Sequence, residues 1–303
     1  MYRAFIVNPA AGSGYAPQVM ARLEERLRET KTEYRIFLTE RPGHGTELAA
    51  ALAADGDVCA VAAVGGDGTA EEVAAGLCGT GKPMGIIPAG TGNDFIKSVG
   101  IPGDPEAALS LFLTGEPRDT DTGRVNGDFF LNECGTGFDV TVLDFAEAEK
   151  GKHRGLTPYL LGLLKAIAHY RSVSLKITVG QEPVREGKFL VCAVANGKYI
   201  GGGIPICPPA DPADGMLDLV LIRDVPRWKI PFYLPGLMMS RALRFRITGH
   251  QLVSQVEIEG ENLRINIDGG IRPMNRAAFS LRPASLRLIR PAPERREQHG
   301  RHQ

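Results

Sequence analysis

The sequence predicts a doubly wound, mostly parallel α/β domain followed by a β-sandwich-like or barrel-like domain, and three observations carry that prediction. Apolar runs and amphipathic stretches alternate strictly up to about residue 114, the pattern of βα units around a parallel sheet. From Gly115 the texture changes to many short apolar segments separated by Gly, Pro and Asp, as in antiparallel β domains. A chain of 303 residues, 43% hydrophobic and 23% charged, is long enough for about two domains with real cores.

In the first part AFIV, YRIFL, VCAVAAV and MGIIP read as strands. They alternate with the helical stretches PQVMARLEERLRET, GTELAAALAAD, TAEEVAAGL and NDFIKSVG. A last helix is expected from Pro105 to Leu113, because Asp104 offers a side-chain cap and Pro105 suits a first turn whose N–H groups lack partners. Beyond it, RVNGDFF holds Asn126-Gly127, residues that reach the positive φ a two-residue hairpin demands. SVSLKITV, KFLVCAVAN, LDLVLI, FRIT, LVSQVEIE and LRINID supply further strands. The boundary falls near 115 to 130, which divides the chain into residues 1–122, residues 123–290 and a frayed tail, 291–303, without apolar periodicity.

Charge and cysteine usage exclude several classes. Thirty-five Lys and Arg balance 35 Asp and Glu, so there is no broad basic footprint and nucleic acid is not expected as a partner. Cys59, Cys78, Cys134, Cys192 and Cys207 are odd in number, scattered and free of any CxxC, which argues against a disulfide frame or a zinc site and fits a reducing cytoplasm. The six histidines form no HxxxH or HExxH and receive neither a metal nor a catalytic role. The apolar start before Asn8-Pro9 is too short for a signal peptide. The apolar stretches near Tyr159 to Ala168 and Ile230 to Met239 fall short of the ~20 residues that span a bilayer.

Ligands of open α/β sheets gather at the carboxyl ends of the strands, and here three of the first four strands run into glycine-rich loops. These are Asn8-Pro9-Ala10-Ala11-Gly12-Ser13-Gly14, Gly65-Gly66-Asp67-Gly68-Thr69 and Pro88-Ala89-Gly90-Thr91-Gly92-Asn93-Asp94-Phe95. Glycine lets backbone approach an anion, and the helix start that follows presents free N–H groups, so the three loops together read as a phosphate cradle. There is no GxxxxGK[ST] and no complete dinucleotide fingerprint, which sets aside P-loop and Rossmann NAD chemistry. Asp67 and Asp94 would repel polyphosphate unless a hard cation such as Mg2+ lies between. Either could instead be a helix cap or an Asx-turn former.

NPAAGSG, GGDGT and PAGTGNDF, in this order and spacing, resemble the diacylglycerol kinase catalytic domain family, specifically its soluble bacterial lipid kinases, which are similar to sphingosine and ceramide kinases. Gly135-Thr136-Gly137-Phe138-Asp139, Asn196-Gly197, Gly201-Gly202-Gly203, Pro208 to Gly215 and Asp268-Gly269 extend the resemblance over essentially the whole chain. It implies a nucleotide domain, a C-terminal β-sandwich, an active site in the cleft between them, and ATP-dependent phosphorylation of a lipid hydroxyl, first of all diacylglycerol to phosphatidic acid. It implies ATP contacts by Asn8, Pro9, Ala10, Ala11 and Gly12, by Thr39, by Gly65, Gly66, Asp67, Gly68, Thr69, Ala70 and Glu71, and by Thr91, with Gly90, Gly92 and Asn93 beside it. Ala210 to Met216 matches the family's structural Mg2+ loop, held by the Asp214 side chain and the carbonyls of Asp211 and Met216. Read without the resemblance, that loop is a plain turn.

One departure concerns the general base. In bacterial members the later strand ends in Asp-Gly-Glu, with the Glu as base, whereas this chain has Asp268-Gly269-Gly270. Glycine cannot accept a proton, which leaves Asp268 or Asp67 as candidate bases and Asp67, Asp94 and Asp268 as the candidate catalytic acids. The alternatives are a non-catalytic nucleotide- or lipid-binding regulator, or a kinase of another lipid such as a sphingoid base. On its own, Asp268-Gly269 also reads as a hairpin turn.

A soluble lipid kinase must meet its substrate at a membrane. Residues 223–246 carry six basic residues against the single acid Asp224, with Trp228, Phe232 and Tyr233 among them. They read either as a core helix with basic flanks or as a headgroup-facing surface. Leu156 to Ala168, after the basic run 150–154, could line an acyl entrance or pack the second domain. The chain is thus expected to be cytoplasmic, peripheral to the inner face of the cell membrane, and dependent on ATP and Mg2+, with its oligomeric state open and a homodimer among the options.

Overall fold

The computed structural model describes residues 1–149 and 157–292. The first part alternates β1 (Tyr2–Val7), α1 (Ala16–Glu29), β2 (Tyr34–Leu38), α2 (His44–Ala54), β3 (Val58–Gly65), α3 (Asp67–Leu77), β4 (Pro83–Pro88), α4 (Asp94–Val99) and α5 (Pro105–Thr114). β1 pairs in parallel with β2 on one side and β3 on the other, and β3 pairs with β4. Pleating sends alternate residues to opposite faces. Ala4, Ile6, Val61 and Ala63 pack against Leu52, Val73, Leu77 and Phe95. On the other face Phe5, Val7, Ala62 and Val64 meet Leu23 and Leu27 of α1 and Phe112 of α5. Helices therefore cover both faces, the doubly wound arrangement the sequence predicts. α5 starts as its residues dictate, with the Ala107 N–H donating to Asp104 at 2.9 Å.

The second part contains β5 (Pro117–Val125), β6 (Asp128–Phe130), β7 (Glu133–Gly137), α6 (Phe138–Glu147), α7 (Thr157–His169), β8 (Val173–Thr178), β9 (Arg185–Ala195), β10 (Tyr199–Ile200), β11 (Ile204–Pro205) and β12 (Leu217–Arg223). It continues with α8 (Ile230–Met238), β13 (Thr248–Val253), β14 (Gln255–Glu259), β15 (Arg264–Ile267), β16 (Gly270–Pro273) and β17 (Arg276–Ile289). Asn126 and Gly127 make the β5–β6 turn at positive φ. Cys192, Val194, Leu219 and Leu221 face Ile177, Val256, Ile258 and Phe279 across an apolar core, a β-sandwich as expected. The opposite face of β9 and β12, with Val191, Ala193, Val220 and Ile222, lies under Phe138, Ala166 and Ile230 of the helices and Tyr170 just after α7.

β17 joins the two parts. Its first half pairs with β14 and β5, and then the register breaks between Arg282 and Leu286, where Ala284 takes φ 48. Arg287 and Leu288 pair in parallel with Pro83 and Met84 of β4, and Leu286 and Leu288 fill the first core. The sheet that residues 1–122 begin is therefore extended by residues from the far end of the chain. Among the described residues no helix is long and apolar enough to cross a membrane. The basic run 150–154, Leu156 and the tail from 293 onward lie outside the described residues.

Candidate active site

β2 and β3 flank β1 on opposite sides, so the loops after β1 and β3 leave the sheet at its switch point, and the loop after β4 adjoins them. Asn8 ties the first two loops: its Nδ2 donates to Thr69 Oγ1 at 3.2 Å, while its Oδ1 accepts from Ala10 N at 3.0 Å. A Cβ on Gly12 would lie 2.2 Å from the Ala89 carbonyl oxygen, and one on Gly90 would lie 2.3 Å from Gly66 Cα. Lack of a side chain at these two positions lets the loops pack backbone on backbone, a structural role beside the phosphate access expected of them. Pro9, Ala10, Gly68 and Thr91 are exposed, and Ala11, Thr39 and Gly65's neighbour Gly66 are half-buried. Ala70, a residue with an implied ATP contact, instead packs its side chain into the core under α3.

Asp67 opens α3, and its Oδ1 accepts from the backbone N–H groups of Asp94 (2.6 Å) and Phe95 (3.2 Å), the start of α4. A Cβ on Gly92 would sit 2.9 Å from its other oxygen, Oδ2. Burial and the nearby Asp94 charge push the Asp67 carboxyl above its ordinary range. Asp94 is buried and used on both sides: Oδ2 accepts from Gly202 N at 2.7 Å, and Oδ1 pairs with Lys97 Nζ at 2.9 Å. Gly202 lies in the glycine turn between β10 and β11, so Asp94 bridges the third loop to the second part of the chain. Asn93, at φ 50, donates from Nδ2 to Gly90 O at 2.9 Å and closes the loop on itself. Of the two acids, Asp67 retains the oxygen able to hold Mg2+.

The second part answers with carboxylates. Asp268 and Gly269, at φ 44 and 98, form the two-residue turn between β15 and β16. The Asp268 carboxylate accepts from the N–H groups of Leu131 (2.5 Å), Asn132 (3.0 Å) and Glu133 (2.8 Å). Burial raises its pKa to about 6 against the pull of those donors. With both oxygens engaged it is a clamp on residues 131–133, not the free base considered for it from sequence. Gly270 does not take a positive φ, and among the described residues a Cβ there would meet only the Ile267 carbonyl, at 3.5 Å.

Three further acids, Glu71, Glu133 and Asp139, carry raised pKa values. Glu71 stands one helical turn beyond Asp67 on the same face of α3. Burial first, then the charges of Asp268 and Glu72, push its pKa up to about 8, while Arg272 of β16 pulls the other way. Glu71 therefore faces the hairpin that carries Gly270. Glu133 and Asp139 lie side by side where Gly135 leaves room: a Cβ on Gly135 would fall 2.3 Å from Asp139 Oδ2 and 3.2 Å from Glu133 Oε2. Asn266 Nδ2 donates to Glu133 Oε1 at 2.8 Å. Burial raises Asp139 to about 6, and burial with the Asp139 charge holds Glu133 well above the usual carboxylate range. Glu133 and Asp139 meet locally across the β7–α6 junction, and the β7–β15 pairing brings in Asn266.

The loop from Asp211 to Met216 folds as the turn its residues predict, with Asp214 N donating to Asp211 O at 3.2 Å and Met216 N donating to Asp214 Oδ1 at 3.0 Å. Asp121 of β5, not singled out in the sequence, fastens it by accepting from Gly215 N (2.8 Å) and Ala284 N (2.7 Å). Burial and the charges of Asp218, Asp211 and Asp121 raise the Asp214 carboxyl. A loop this rich in oxygen donors and negative charge fits a hard cation such as Mg2+.

Residues 3–125 match the diacylglycerol kinase catalytic domain, and residues 132–290 match the YegS C-terminal NAD kinase beta sandwich-like domain. A diacylglycerol kinase of Mycobacterium tuberculosis is 29% identical over 294 residues, 94% of each chain. A "Probable lipid kinase YegS-like" protein of Pseudomonas aeruginosa is 34% identical over 88% of this chain and 87% of its own. The crystal structure of a candidate diacylglycerol kinase from Bacillus anthracis superposes with a TM-score of 0.79 at 25% identity, covering 96% of this chain and 95% of that one.

Proposed function

The chain belongs to the diacylglycerol kinase catalytic domain family of lipid kinases, and from that premise we propose that it transfers the γ-phosphoryl group of ATP to the hydroxyl of diacylglycerol, yielding phosphatidic acid and ADP. The observation that supports this most is the meeting of the glycine loops with the Asp67 carboxylate, whose Oδ2 faces Gly92. Loop N–H groups around Gly68 and Thr91 hold the phosphates. Asp67 would hold Mg2+, which neutralises phosphate charge. The lipid oxygen bonds to the γ-phosphorus as the bond to the bridging oxygen of ADP breaks.

Glu71 takes the hydroxyl proton. Gly270 has no side chain and Asp268 is fully engaged, whereas the Glu71 carboxyl, at about 8, is a strong enough base for the task. Asp268 positions residues 131–133, and the Asp94–Gly202 bond aligns the glycine turn with the third loop.

Access to the membrane comes from α7, α8 and the turn before α8. Leu160 and Leu164 are more than half exposed, as are Trp228 (67%) and Phe232 (75%), and Arg227 donates to Ala168 O, joining the two helical segments. Lys229 stacks over Trp228 with its amine 5.3 Å from the ring centre. Aromatic and aliphatic tips among cations suit the headgroup zone of an anionic membrane surface.

Incubation with labelled ATP, Mg2+ and mixed micelles of diacylglycerol tests the assignment, with sphingosine micelles as a second arm. Labelled phosphatidic acid is the expected product. Product in the sphingosine arm alone would move the acceptor to a sphingoid base, and ATP binding without product in either arm would make the chain a regulator.

A further inference from the structure

Cys207, Asp218 and His250 lie far apart in sequence, and both cysteine spacing and histidine spacing argued against a zinc site. The fold brings them together. Asp218 is on β12, His250 is on the adjacent β13, and Cys207 sits in the loop after β11; their ligand atoms all lie within 4.8 Å of one another. His250 Nε2 and Asp218 Oδ1 are 2.5 Å apart, and Cys207 Sγ lies within 4.8 Å of both. Cys207 and Asp218 are buried, while the His250 ring is 28% exposed.

We propose that these three side chains form a zinc site, with water as the fourth ligand on the open side beside His250. Thiolate, imidazole and carboxylate together are a zinc donor set, and bond lengths of ~2.0–2.3 Å place tetrahedral ligand atoms roughly 3.3–3.8 Å apart. The three atoms already fall within reach of that spacing, and His250 need only swing outward from Asp218. The ion displaces the thiol proton to solvent and forms the Zn–S bond. A bound ion would fasten the loop from Cys207, which runs directly into Asp211–Met216, to the β12–β13 pair.

Cobalt reports such a site through the thiolate-to-cobalt charge-transfer band and the tetrahedral d–d bands. The full chain, stripped by chelator and kept in excess Mg2+ so that oxygen-rich sites are filled, is titrated with Co2+ and then Zn2+. One equivalent should produce both bands, and zinc should bleach them. Cys207→Ser should abolish the charge-transfer band, and His250→Gln, on an exposed strand position where folding is safe, should weaken binding at least ~10-fold. Zinc should raise the Tm of the wild type and not that of His250→Gln. A band that survives in Cys207→Ser would assign the thiolate to Cys59 or Cys78 and overturn the site. So would an absent band, or unchanged affinity in His250→Gln.

Discussion

The glycine-loop edge and the acid-bearing hairpins face one another through Asp94–Gly202 and Glu71–Asp268, yet they are built by opposite means. The first is made of backbone: Gly12, Gly66 and Gly90 press three loops together into the rim proposed to hold phosphate. The second is made of side chains, with Glu133 buried, Asp139 and Asp268 half-buried, and all three pKa values raised. Charge on one side must be brought by a ligand, whereas on the other it is stored and held in check by protons. A phosphoryl transfer needs both, an electropositive rim for the donor and a proton acceptor for the alcohol.

The sharpest way to break this contrast is to neutralise Asp67 on the backbone side. Asp67→Asn should lower turnover at least ~100-fold, because the oxygen proposed to hold Mg2+ against the phosphates loses its charge. The amide oxygen can still accept from Asp94 and Phe95, so the urea midpoint should hold. Near-normal turnover in a folded variant would move the essential charge elsewhere.

Glu71→Gln tests the proton side and should cost roughly 30- to 100-fold in kcat. In the wild type, kcat should rise about tenfold per pH unit and level off at about 8, and the variant should lack that limb. The same carboxyl has a stability signature. Its pKa is raised in the fold, so its contribution is complete below the unfolded value and lost as pH rises through about 8. The variant should therefore gain at least ~1 kcal/mol relative to wild type between about pH 5 and about pH 9 in urea titrations. A constant gap would mean Glu71 is ionised in the fold.

Gly92→Ala addresses the rim more gently. Its methyl would meet Asp67 Oδ2 at 2.9 Å, so the ATP KM should rise about tenfold with the lipid KM little changed. Equal shifts in both constants would indicate general misfolding. The smallest effect is expected from Gly270→Glu, less than ~10-fold on the wild-type kcat because Glu71 already serves. Its diagnostic use is in the double variant: Gly270→Glu should restore activity lost in Glu71→Gln, and failure to rescue would place residue 270 away from the reacting hydroxyl.

The backbone side of this contrast was legible in the sequence, and the side-chain side was not. Strand-to-glycine-loop junctions are local, so GGDGT and PAGTGNDF announce themselves within a few residues, and so do the Asp104 cap and the Asn126-Gly127 turn. What the loops' glycines do was misjudged in part, since contact between loops depends on the 2-1-3-4 strand order rather than on any one motif. Glu133, Asp139 and Asp268 are separated by up to 135 positions and converge only when β7 pairs with β15. Asp121 reads as one of many acids until its carboxylate is seen to accept from Gly215 and Ala284. The zinc ligands on β12 and β13 are of the same kind. Burial, which sets their chemistry, is a property of the packed sandwich and leaves no periodic trace.

The crossing of β17 into the first sheet bears on how the chain is made. Leu286 and Leu288 complete a core whose other members lie mostly before residue 110, and Arg287 and Leu288 cover the edge that β4 would otherwise leave open. A ribosome working from the N-terminus cannot supply them until it has synthesised the chain through Ile289, the end of β17. The nascent α/β unit must wait with an unpaired strand edge and an unfilled core, a condition that invites association with other chains. A fragment ending at residue 122 should share that fate and be recovered as aggregate, whereas the same fragment mixed with a peptide of residues 276–289 has its missing strand available from outside.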